Sequence, residues 1–325
     1  KISNKKAKFT QLLQQVTYHL TINNMKKLFS IVMLALVCAL TANAQLLYSI
    51  SGKDLKKPSY VFGTFHIANT PFVEKVAGIH SALDNTDQVY GELKWDDMTN
   101  PDSLRAMQAH MMLPEGKTLK TVLNPTQYKK LNALLKQYMG VGLDNPQVGA
   151  QMGRLSPAAL VSQLQVLQYM AAHMGEFDPT NTIDQYFQLQ AKNNNEPVGG
   201  LETMELQMSI MFGAPLKRQI AQLDCFLNHT DYYASTTERM AEAYYKQDIK
   251  TLLDIMNEKF DAACDATPDE MDQLIYRRNA DWAKRMPAIM SEKPTLFVVG
   301  AGHLPGKRGV IELLKAEGYT VEAVK

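Results

Sequence analysis

Two quartets of one pattern, Gly63-Thr64-Phe65-His66 and Gly300-Ala301-Gly302-His303, set a histidine three residues after a glycine at distant points of a 325-residue chain. Each follows a short apolar run, Tyr60-Val61-Phe62 in one case and Leu296-Phe297-Val298-Val299 in the other. Such runs read as buried strands that stop at the glycine. Two more strand-like runs close on a carboxylate: Gln88-Val89-Tyr90-Gly91 leads to Glu92, and Pro197-Val198-Gly199-Gly200-Leu201 leads to Glu202. Two imidazoles with one or two carboxylates suit a divalent transition metal and leave positions for water and substrate. An ion so held lowers the pKa of water and polarises a carbonyl. Arg278 lies in a helical pattern, where it is solvated or paired; facing a pocket, it would instead stabilise an oxyanion or grip a carboxylate.

The elements around these residues decide whether they meet. In open α/β sheets ligands sit beyond the carboxyl ends of the strands. A helix over Pro71–Leu83 separates the runs ending at His66 and Glu92, which makes a βαβ unit with parallel strands. A second βαβ unit is expected at the end, from Leu296–Val299 through a helix over Gly309–Glu317 to a strand over Tyr319–Val324. Gly63 and Gly300 are expected to let the chain leave its strand in a conformation that a side chain resists, and to leave room for a ligand. Helical patterns fill 101–178, Thr182–Lys192, Glu205–Asn228, Tyr232–Gln247, Ile249–Ala262 and Asp269–Met290. The expected fold class is α/β: a single domain with a mainly parallel sheet built from βαβ units and large helical insertions. Methionines such as Met98, Met111, Met139 and Met152 read as core filler, or as an adaptable wall for an apolar or peptide substrate.

The composition, 46% hydrophobic and 21% charged, is that of a globular protein. Residues 1–24 read as an over-extended start. Met25, Lys26-Lys27, the apolar run to Leu40 and Ala42-Asn43-Ala44 read as a signal peptide over 25–44, cleaved after Ala44. Its apolar run is too short for a stable membrane span. The mature domain is expected over 45–325, exported to a periplasmic or extracellular space. Removing 1–44 takes away six lysines and no acid, so the net charge of +1 becomes −5. That argues against a nucleic-acid partner and leaves a peptide or small molecule as the expected substrate. Cys225 and Cys264 either pair or stand as separate thiols, and the sequence leaves both open. His80, His110, His173 and His229 fall in helical runs and read as structural. A dinucleotide turn, a phosphate loop, a Gly-x-Ser-x-Gly elbow and a His-Glu-x-x-His pair are not matched.

The paired Gly-x-x-His motifs, Gly91-Glu92, Gly200-Leu201-Glu202-Thr203, Arg278-Asn279 and Val299 to Gly306 together resemble the TraB/PrgY/GumN family, related to the Tiki proteases. The resemblance extends over essentially the whole mature chain. It implies a metal-dependent hydrolase, and the Tiki proteases are membrane-associated enzymes that use manganese or cobalt to cleave secreted Wnt signals. By that resemblance His66, Glu92 and His303 are the metal or catalytic residues, with Glu202 and Arg278 supporting them. The reading is a peptidase using manganese, cobalt, iron or zinc. More distant relatives supply two alternatives: an esterase-like enzyme with a histidine general base and no metal, and a haem- or metal-binding protein without catalysis.

Overall fold

The computed structural model describes residues 45–175, 177, 178 and 180–325. The start segment 1–24 and the signal peptide 25–44 lie outside the described residues. Six strands, β1 (Leu47–Ser51), β2 (Ser59–Thr64), β3 (Gln88–Gly91), β4 (Val198–Gly200), β5 (Thr295–Gly300) and β6 (Thr320–Ala323), form one sheet in the order β4-β3-β5-β2-β1-β6. The pairs β4/β3, β3/β5 and β5/β2 are parallel, whereas β2/β1 and β1/β6 are antiparallel. The result is a mixed α/β fold with four adjacent parallel strands and an antiparallel flank. β2 is buried along its whole length and β5 along all but its last residue, as expected of central strands covered on both faces.

The first βαβ expectation holds in direction, and the second needs correction. β2 and β3 run parallel but are not neighbours, because β5 inserts between them. β6 does not pair with β5 at all; it sits beyond β1 and pairs with it antiparallel. Within β6 only Val321 is buried while Thr320 and Glu322 are exposed, the alternation of an edge strand.

Most helices lie where the hydrophobic spacing put them; the run 101–178 holds the helices Pro101–Met111, Leu119–Val122, Pro125–Met139, Pro146–Met152 and Pro157–Ala172, and three other runs differ. The expected helix over Pro71–Leu83 is a 3-10 turn, Thr70–Lys75, and a short helix, Ile79–Asp84. Gly78 divides them with a left-handed φ of 74°, a conformation that glycine adopts without steric cost. The run 205–228 splits into Met204–Phe212 and Leu216–Asn228, because Pro215 has no N–H to continue the ladder. The run from Ile249 stops at Asn257, and the loop after it is tied to the Leu216–Asn228 helix by a Cys225–Cys264 disulfide.

Two apolar cores result. One packs on the sheet and includes Phe62, Phe187, Trp282 and Phe297. The other joins the helical insertions through Leu131, Leu160, Leu164, Leu223 and Phe226. Met152, Met204 and Met208 fill the second core, with Met98, Met107, Met111 and Met112 packed against it. Met139 and Met174 remain exposed.

Candidate active site

Parallel strands end on one edge, and the sheet order groups there the residues one to three positions past their ends. Across β4, β3, β5 and β2 these are Glu202, Glu92, His303 and His66. Pairing continues past the strand ends: Leu201 N–H donates to Gly91 O at 2.9 Å and Glu202 N–H to Glu92 O at 3.0 Å. The two carboxylates are thereby held in register. Gly63 and Gly300 serve by their size rather than by an unusual backbone, since neither has a positive φ. A Cβ on Gly63 would lie 2.8 Å from Leu304 Cδ1, and one on Gly300 would lie 3.2 Å from Glu92 Oε1. In place of that Cβ, Gly300 offers its N–H to Glu92 Oε1 at 2.8 Å.

Arg278 comes from the opposite side. A π-helical turn over Asp272–Tyr276 precedes the helix Arg277–Glu292, and such a turn shifts the helical face by one residue. Arg278, Asn279 and Trp282 are then all buried. All five guanidinium donors are engaged. Nε donates to Glu202 Oε2 at 3.0 Å, and Nη2 donates to Glu202 Oε1 at 2.7 Å and Glu92 Oε2 at 2.6 Å. Nη1 donates to Leu274 O at 2.8 Å and approaches His303 Nε2 at 3.1 Å. Glu202, with its side chain 2% exposed, also accepts from Trp282 Nε1 at 3.2 Å and from Gln207 Nε2 at 2.9 Å. The same Gln207 amide donates to Glu92 Oε2 at 2.9 Å.

The partners of His303 fix its tautomer. Asn279 Nδ2 donates to the carbonyls of Arg308 and His303, so its Oδ1 is the acceptor for His303 Nδ1–H at 2.6 Å. His303 Nε2 therefore carries the lone pair, which meets Arg278 Nη1 and lies 3.7 Å from Glu92 Oε1. The Trp282 ring packs over the imidazole with centroids 4.5 Å apart. Burial, aided by the Arg278 charge, pushes the His303 pKa down to about 4. Burial pushes Glu92 up, but nearby positive charge and the Gly300 N–H outweigh it and hold the pKa at about 2. His303 is uncharged at neutral pH, so Arg278, together with the protonated His66, favours the ionised Glu92 there.

His66 stands across the pocket on a different support. Its Nδ1 is 3.0 Å from Asp184 Oδ2, while Thr64 Oγ1 donates to Asp184 Oδ1 at 2.7 Å. The charge of Asp184 raises the His66 pKa to about 9. Asp184 lies in the first turn of the helix Ile183–Asn193, where the helix dipole favours a carboxylate. That helix buries Ile183, Phe187 and Ala191, with Phe187 on Phe62 at 5.1 Å between centroids. Its adjoining face carries Asp184 and Gln188 into a pocket of about 320 Å³. The pocket is also lined by His66, Glu92, Trp95, Met98 and Gln207.

All five residues selected from the sequence thus lie at this edge. Glu92, Glu202, Arg278 and His303 form one contact network, and His66 faces Glu92 across the pocket without a hydrogen bond to it. Asp184, Gln188, Gln207 and Asn279 were missed. A weak signal for Asp184 was its place after the Thr182 cap; Asn279 had adjoined Arg278 in the motif. His80, His110 and His173 face Glu74, Glu205 and Glu238, and His229 packs on Phe260.

The donors fit a divalent ion in kind. Each imidazole has Nδ1 anchored on a side-chain oxygen, the outer support that ligating histidines use; His66 turns Nε2 away from that anchor, and His303 Nε2 meets Arg278 Nη1. The side chains do not stand in a closed ligand set as arranged: among the described residues, no three His, Cys, Asp or Glu are grouped to hold an ion.

The sequence model of the TraB/PrgY/gumN family matches residues 46–323. The chain is 25% identical over 303 residues to the Metalloprotease TIKI1 of Danio rerio, covering 82% of this chain and 60% of that protein. It is 23% identical over 309 residues to the Metalloprotease TIKI homolog of Nematostella vectensis, covering 82% and 65%. It is 26% identical over 309 residues to the Metalloprotease TIKI1 of Homo sapiens, covering 82% and 59%. The chain spans about three fifths of the length of the curated relatives it matches. Among the described residues, no helix is long and apolar enough to cross a membrane.

Proposed function

The chain belongs to the TraB/PrgY/gumN family, and on that premise we propose that it is an exported, metal-dependent hydrolase of peptide bonds. The observation that carries the reading is the shared edge: two histidines, each anchored through Nδ1, stand on either side of Glu92, with His66 and Glu92 lining one pocket and His303 Nε2 buried 3.7 Å from Glu92 Oε1. The name metalloprotease, borne by the relatives, supports the same reaction class.

His66, Glu92 and His303 would hold the ion, which would supply Lewis acidity toward water and the scissile carbonyl. His303 is neutral and needs no deprotonation to ligate, whereas loading at His66 releases the proton that Asp184 favours. Glu202 and Arg278 act as positioning residues in this scheme. With every donor engaged, Arg278 orients the two carboxylates rather than meeting substrate, and Glu202 holds Arg278. Gln207, whose amide nitrogen bridges both carboxylates, lines the pocket. Manganese, cobalt, iron and zinc all suit the donor set.

The test is hydrolysis of a quenched peptide library by chelator-treated protein, resupplied with each ion, beside the folded His66→Ala/His303→Ala double variant. Expected is ion-dependent cleavage lost in the variant. Cleavage that survives chelation and needs only His66 would replace this reading with metal-free hydrolysis. No cleavage with any ion would overturn it.

A further inference from the structure

The guanidinium of Arg278 occupies the lone pair that a metal at this site would need. Its Nη1 lies 3.1 Å from His303 Nε2, and that nitrogen is the only one available for ligation because Nδ1–H is committed to Asn279. Glu92 is different. Arg278 and Gln207 take Oε2, while Oε1 faces Gly300 N–H and His303. An ion could therefore reach Glu92 Oε1 without disturbing Arg278, but it could not reach His303 Nε2 without displacing Nη1.

Arg278 cannot withdraw as a whole. Glu202 holds Nε and Nη2 along one side of the fork, and the Trp282 ring lies under it with the guanidinium carbon 4.8 Å from its centroid. Nη1, unlike the carboxylate-bound Nε and Nη2, meets uncharged acceptors, His303 Nε2 and the Leu274 carbonyl of the π-helical turn at 2.8 Å. Loss of the His303 contact thus frees one of the two Nη1 N–H groups while the other stays on Leu274 O.

We infer that Arg278 is the resident cation of this site and competes with the metal for His303 Nε2, so that metal uptake exchanges one Arg278 hydrogen bond for a coordinate bond. This inference rests on the proposed metal-dependent reading and adds a residue that sets the affinity. Arginine is suited to the position because its planar fork reaches both carboxylates and the imidazole at once. A lysine has one point charge, and anchored on Glu202 it no longer spans to His303.

The test is calorimetric titration of zinc and manganese into chelator-treated wild type and Arg278→Lys, with thermal unfolding to establish that the variant is folded. Competition predicts affinity at least tenfold tighter in Arg278→Lys. Equal or weaker binding in the folded variant would overturn the inference while leaving a metal site in wild type. Absence of binding in both proteins would overturn the inference and the metal-dependent reading together. Wild type alone gives an independent check if the lysine variant does not fold. In ¹⁵N-histidine spectra, zinc should shift His303 Nε2 while Nδ1 keeps its proton. An unchanged His303 with zinc bound would overturn the competition.

Discussion

Replacing Asp184 with Asn isolates the support beneath His66. The substitution keeps the shape of the side chain and both neighbours, since a carboxamide can accept from His66 Nδ1–H and donate to Thr64 Oγ1. What it removes is the charge. That charge is the largest influence on the His66 pKa of about 9. The pKa in Asp184→Asn should therefore fall toward the ordinary 6.5. Stability should change little, because the His66 side chain is 72% exposed and an ion pair in such contact with water is worth about 0–1 kcal/mol. The sign is fixed by linkage. A raised histidine pKa adds stability that is fully present below pH 6.5 and is lost as pH rises through about 9, so this small slope should vanish in the variant. Removing the orienting carboxylate of a ligating histidine costs roughly 10–100-fold in metal affinity, and zinc binding should weaken by that factor. The assay is a pH titration of the histidine side chains by NMR, followed by calorimetric zinc titration. A His66 pKa still above 8 in Asp184→Asn would refute the assignment of Asp184 as its partner.

Acid should weaken the fold in two stages. His303 is kept neutral with its pKa at about 4, so stability falls as pH drops from 6.5 toward 4; Glu92, held at about 2, adds a second decline below pH 4.5. Urea midpoints from pH 7 to pH 3 check this, and midpoints unchanged across that range would contradict the burial of both groups. Breaking the Cys225–Cys264 bond, which spans 39 residues, should lower stability by about 4 kcal/mol on chain-entropy grounds, read from denaturation with and without reductant. Gly63→Ala should cost about 1–3 kcal/mol in urea unfolding through overpacking, since its Cβ would meet Leu304 Cδ1 at 2.8 Å and Ala301 Cα at 3.0 Å.

The strand-end residues were legible because parallel strands present their carboxyl ends on one edge whatever their order. His66, Glu92, Glu202 and His303 needed only that rule. The residues that hold them were not legible for the opposite reason. Asp184, Gln207 and Asn279 sit on helices, and no spacing relates a helix to a strand until packing, such as Phe187 on Phe62, fixes their relative rotation. The π-helical turn before Arg278 added a further offset that ideal helical periodicity cannot anticipate. The position of β6 was hidden similarly, because a strand-helix-strand pattern gives direction and leaves the neighbour undecided. Its alternating burial, with Val321 inward and Glu322 outward, was the available sign of an edge.

The order of the sheet also ties the site to the fold's completion. β5 lies near the end of the chain yet occupies the middle of the sheet, and it alone joins β3 to β2. Before it inserts, Glu92 and Glu202 belong to one strand pair and His66 to another. Insertion brings Gly300, whose N–H fixes Glu92 Oε1, and His303, whose Nε2 meets Arg278, in the same event. A group of charges this buried is costly unless all its partners are present. Arg278 and Glu202 pair through contacts that do not involve β5, whereas Glu92 Oε1 depends on the Gly300 N–H that β5 brings. β5 is thus shared by the core and the site, and a change that loosens it should disturb both.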